Sequence, residues 1–82
     1  MSKIENDNIL TRPQWFVFTF GAGQPHEGQY VRIWGTYGEA RSKMVQKYGR
    51  EWGFQYTNEQ WEDWVHKKPQ WLPEETLLEE IK

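Results

Sequence analysis

The chain has 82 residues, no cysteine and a formal charge of −2, with six tryptophans, four tyrosines and four phenylalanines. That length suits one small domain burying roughly 60% of the surface its unfolded form exposes, so without disulfides each large aromatic must contribute heavily to stability. Zero cysteine excludes thiol catalysis and cysteine zinc sites, His26 and His66 make no metal-ligand pattern, and no window approaches the roughly 18 apolar residues of a membrane span.

The polar start from Met1 to Asn8 lacks a signal peptide's apolar segment, so the expectation is a soluble intracellular protein with no metal and no cofactor. Charge is uneven: residues 1–31 sum to −1, residues 32–50 to +4 and residues 51–82 to −5. A basic middle beside an acidic tail fits either a nucleic-acid face with a counterweight or two solvated helices of opposite sign.

Gln14 to Phe20 is aromatic and β-branched, has no helical period and runs into Gly21-Ala22-Gly23. It reads as a strand with Phe16, Phe18 and Phe20 on one face and Trp15, Val17 and Thr19 on the other, both faces covered, in the middle of a sheet. After a loop from Gly21 to Gly28, Gln29 to Trp34 forms a second strand, pairing with the first as an antiparallel hairpin. Val31 and Ile33 face one way, and Tyr30, Arg32 and Trp34 the other.

Thr36-Tyr37-Gly38-Glu39 is a capping box, so a helix starts there. Tyr37, Ala40, Met44 and Tyr48 form its apolar stripe, and Gly49 supplies the left-handed residue that ends it. Glu51 to Tyr56 alternates aromatic with small or polar residues and reads as a third strand, with Trp52, Phe54 and Tyr56 against the core. Thr57-Asn58-Glu59-Gln60 is a second capping box, opening a helix that runs to about Lys68. Pro69 stops it, and Pro73 with Glu74 and Glu75 at a first turn predicts a short third helix over Pro73 to Ile81, touching the body through Leu77, Leu78 and Ile81.

Candidate functional residues fall into four groups. The glycines from Gly21 to Gly28 could cradle a phosphate, with His26 and Glu27 as an acid/base pair; the loop leads into a strand and not a helix, which favours a plain hairpin connection. Lys43, Lys47 and Arg50 make a basic ridge for a phosphate backbone, an acidic protein surface or solvent. Arg41 falls near the apolar stripe, so a partly buried guanidinium is expected, paired with Glu51 or a tail carboxylate or held ready for a ligand. Tyr30, Arg32 and Trp34 share a strand face suited to stacking on a base or anchoring an interface, and Trp61, Trp64, Trp71 and Leu72 exceed what a short helix and linker need for packing.

Trp15 to Gln24, Tyr30 to Gly35, Ala40 to Met44 and Tyr48 to Tyr56 together resemble small, mostly uncharacterised proteins of bacteriophages and prophages of Gram-positive bacteria. The resemblance spans residues 14–65 and brings no active site. It implies a phage accessory protein in the cytoplasm of a bacterial host, of a kind that binds and blocks host machines such as restriction and CRISPR effectors.

The combined expectation is an α+β fold: a small antiparallel sheet of about three strands with a packed helix, in the order ββαβα, plus a short C-terminal helix. Residues 1–13 read as an N-terminal tail, 14–68 as the domain and 69–82 as a tail or docking helix. The expected function is non-catalytic binding to a host protein or ribonucleoprotein complex through Tyr30, Arg32, Trp34, Arg41, Lys43, Lys47 and Arg50. Nucleic-acid or nucleotide binding is the alternative, and a hydrolase built on His26 and Glu27 a third reading.

Overall fold

A computed structural model describes residues 11–82, so most of the expected N-terminal tail lies outside the described residues. The elements are β1 (Gln14–Thr19), β2 (Gln29–Gly35), α1 (Tyr37–Tyr48), β3 (Gln55–Thr57), α2 (Asn58–Lys67) and β4 (Thr76–Ile81). The class is α+β, with a mixed four-stranded sheet ordered β3-β1-β2-β4.

β1 and β2 pair antiparallel, with Phe16 opposite Ile33, Phe18 opposite Val31 and Trp15 opposite Trp34. Alternation then sends Phe16, Phe18, Val31 and Ile33 to one face, where Ala40 and Met44 of α1 complete a core of fully buried side chains. Val17, on the opposite face, is also fully buried, as a central strand requires. Tyr37 meets Phe16 edge-on at 5.7 Å and Tyr48 meets Phe20 at 5.9 Å, so the apolar stripe of α1 lies where its period predicts.

Both capping boxes form. The Thr36 hydroxyl accepts from the Glu39 amide at 3.2 Å, and Glu39 accepts from the Thr36 amide at 3.0 Å. The Thr36 backbone amide first, and then its side-chain hydroxyl, hold the Glu39 carboxyl below its usual range. Thr57 and Gln60 repeat the arrangement at 3.0 Å in both directions. Gly49, with φ 74° and ψ −147°, closes α1 in a conformation that strains any residue carrying a Cβ.

Two expectations need correction. The third strand is only Gln55–Thr57, and its alternation is the reverse of that predicted. Tyr56 pairs with Val17, while Gln55 and Thr57 oppose Phe18 and Phe16, so Tyr56 faces α2 and Gln55 and Thr57 face the α1 side. Phe54 is 66% exposed. Trp52 does reach the core, from the connection before β3, with its ring edge-on to Phe18 at 5.1 Å.

The expected C-terminal helix is instead strand β4, which lies parallel to β2 and makes the order ββαβαβ. Its pairing skips Leu78 between Leu77 and Glu79, a bulge that puts Leu78 and Glu79 on the α1 side together. Leu78 and Ile81 pack on the core there. Glu79 accepts from Lys47 at 2.6 Å and from the Tyr48 hydroxyl, while on the other face Glu80 takes Arg32 at 2.6 Å. Tertiary pairing with the free edge of β2 thus overrides the weak β-propensity of two adjacent glutamates.

Candidate binding surface

The side of the sheet facing α2 differs from the core side. No residue of α2 is buried, and the contacts between helix and sheet are aromatic. Trp61 lies 4.9 Å from Tyr30 and 5.8 Å from Tyr56, so it spans β2 and β3 across β1. Next to it, Trp15 and Trp34 meet edge-on at 5.6 Å, and the Arg32 guanidinium sits 4.7 Å above the Trp15 ring while bonding Glu80. Trp34 remains 39% exposed and Trp64 40%, with Leu77, Val65 and Phe54 also exposed. Trp71 is 80% exposed.

Tyr30, Arg32 and Trp34 therefore share a face, as their spacing predicts, but each has a different neighbour. Arg32 stacks on Trp15, not on Trp34. Trp15 and Glu80 belong to this surface and escaped the sequence reading; the hairpin register, which sets Trp15 across from Trp34, was the available signal for the first. For Glu80 there was none, because it depends on the parallel pairing of β4.

The basic ridge is largely engaged. Lys47 pairs with Glu79, Lys43 donates to the Trp34 carbonyl at 3.0 Å, and Arg50 is exposed with no carboxylate partner among the described residues. The Lys47 and Tyr48 bonds hold the Glu79 carboxyl below its usual range. Burial, and then the Glu79 carboxylate, push the Tyr48 phenol up to about 12. Arg41 is exposed, correcting the expected partial burial, and it pairs with no carboxylate among the described residues; it bonds Gln55 Oε1 at 3.3 Å and lies 4.9 Å above the Trp52 ring. Arg41 does lie beside the apolar stripe, but the surface beneath it is the face of the partly buried Trp52 ring.

In the glycine loop, Glu27 accepts from the Gly23 amide at 3.1 Å, and the Gln24 side chain accepts from the Gly21 amide. With the Gln24 amide bonding the Gly21 carbonyl and the Glu27 amide the Gln24 carbonyl, four of the loop's amides are used internally. The His26 ring packs 5.3 Å from Phe20 and 5.6 Å from Tyr48, while the Glu27 carboxylate bonds the Gly23 amide. No group of His, Cys, Asp and Glu among the described residues is arranged to hold a metal, and no helix among them is long and apolar enough to cross a membrane.

A groove of about 420 Å³ opens between the glycine loop, α2 and the connection to β4. Tyr30, Trp61 and Trp64 line it together with Glu27, Glu74, Glu75 and Lys68. Glu75 also borders a second cavity of about 200 Å³ beside Phe54 and Tyr56. Burial raises the Glu75 carboxyl, with Lys68 opposing the shift, and burial followed by the Glu75 charge raises the Tyr56 phenol.

No family model matches the chain. No curated protein and no solved structure compared with it matches either.

Proposed function

We propose that the protein is a non-catalytic, phage-encoded binding protein that blocks a host defence complex, such as a CRISPR or restriction effector, by occluding its surface. The observation that supports binding is the exposed aromatic side of the sheet, where Trp34 and Trp64 leave large indole surface in water after the core has been completed on the other side. Tryptophan, tyrosine and arginine are the residues that most often anchor interfaces, and Trp15, Tyr30, Arg32 and Trp34 supply all three types in one patch. The assignment to phage and to defence complexes rests on the sequence resemblance over residues 14–65. The target is a host protein or ribonucleoprotein met in the bacterial cytoplasm.

The test is inhibition and co-purification of a purified host effector, with and without nuclease, by the parent and by Trp34→Ala after each is shown to fold. The expected result is inhibition that saturates at a fixed stoichiometry, survives nuclease treatment and weakens about thirtyfold or more in Trp34→Ala, the loss typical of a central anchor. Co-purification that vanishes with nuclease would replace this reading with nucleic-acid binding. Unchanged inhibition by Trp34→Ala would remove the aromatic patch from the contact.

A further inference from the structure

Glu75 is half-buried, and its Oε1 is fully buried with no hydrogen-bond partner. A carboxylate with one buried oxygen lacking a donor is an unusual arrangement, and a cation against the part of Glu75 that stays open to the groove would offset its charge. The surroundings restrict what that ligand is. Tyr30, Trp61 and Trp64 offer aromatic surface, whose negative π-faces attract cations. Three carboxylates, Glu27, Glu74 and Glu75, line the same groove against one ammonium, and Lys68 Nζ is already donating to the Pro73 carbonyl at 3.2 Å. An anion would meet net negative charge, and a purely apolar group would leave Glu75 unpaired.

We propose that this groove is the receptor for an arginine side chain presented by a protein partner, with the guanidinium against the aromatic wall and donating to Glu75. Arginine fits better than lysine because its flat, weakly hydrated guanidinium stacks on aromatic rings while its fork bonds a carboxylate through two N–H groups. The volume, about 420 Å³, is in the range of ligand pockets and admits flanking peptide along with the side chain. The partner itself comes from the binding function proposed above, whereas the chemistry of the groove stands on these residues alone.

The experiment follows the indole N–H signals of Trp61 and Trp64 by NMR while the full chain is titrated with capped Gly-Arg-Gly, Gly-Lys-Gly and Gly-citrulline-Gly peptides. Citrulline keeps the shape of arginine and loses its charge. The expected result is saturable shifts with the arginine peptide and binding at least about tenfold weaker with citrulline, the cost of one lost charge-assisted contact. Glu75→Gln, shown to be folded, should erase the difference between the two. Equal binding of the arginine and citrulline peptides, tighter binding of the lysine peptide, or no saturable shift would overturn the proposal, and these comparisons on the parent chain need no variant. An arginine peptide that binds a protein inactive against the effector would sink the proposed function and leave the groove assignment standing.

Discussion

The two helices cover opposite sides of one sheet, and both begin with a threonine capping box, yet they treat the sheet differently. On the α1 side, small and flexible residues, Ala40 and Met44, let the helix approach Phe16, Phe18, Val31 and Ile33 until all are sealed from water. On the α2 side the contact residue is Trp61, which packs on Tyr30 and Tyr56 without being sealed from water, and nothing on that helix is buried. Equal local signals for starting a helix therefore say little about what the helix will do. The side chains at the contact, Ala40 and Met44 on one helix and Trp61 on the other, separate the sealed face from the one left partly open.

The sharpest way to break this comparison is to truncate one aromatic on each side. Phe18→Ala should cost about 3–5 kcal/mol, as for a large ring removed from a sealed core, and Trp64→Ala about 1 kcal/mol or less. Urea midpoints with m-values compare them directly; similar losses at the two sites would mean that the α2 side is as much core as the α1 side. The capping boxes come next. Thr36→Ala and Thr57→Ala should each cost about 0.5–2 kcal/mol, with Thr57 at the upper end because its side chain is buried and β3 ends on it.

A finer separation uses pH. Glu79, on the α1 side, has its pKa lowered below the ordinary 4.5, so the stability it adds is whole above 4.5 and is lost as pH falls through its folded value. Glu75, on the α2 side, has its pKa raised above 4.5, so its contribution is whole below 4.5 and is lost as pH rises through its folded value. Glu79→Gln should therefore flatten the acid limb of the stability profile, and Glu75→Gln should leave the protein more stable than the parent at neutral pH. Chemical denaturation from pH 3 to 7 reads both slopes, and slopes of the same sign would contradict the assignment. The smallest effect belongs to Arg41→Met, which should change stability by no more than about 1 kcal/mol, since it removes an exposed cation–π contact and one bond to Gln55.

What was legible in the sequence was local. β1, β2, α1 and the start of α2 follow from alternation, helical spacing and capping chemistry, all of which act over a few residues. The errors came where distant partners decide. Leu77, Leu78 and Ile81 fit a helical strip as well as a strand, and only the unpaired edge of β2, about 48 residues earlier, selects the strand. The alternation of β3 is set by its register on Val17, which puts Tyr56 and not Gln55 toward α2. At the candidate surface, Tyr30, Arg32 and Trp34 share a face because alternation guarantees it. Glu75 carries no sequence signal, since what sets it apart is burial without a partner.

The parallel pairing of β4 with β2 also constrains how the chain is made. During synthesis the hairpin of β1 and β2 and the first helix can assemble on the ribosome, but the outer edge of β2 must wait until residue 81 has cleared the exit tunnel. Through that interval Gln29 to Ile33 present open backbone groups to solvent. A segment 76–81 from a second nascent chain meets that edge on equal terms, so crowded polysomes are where an exchanged-strand dimer would arise.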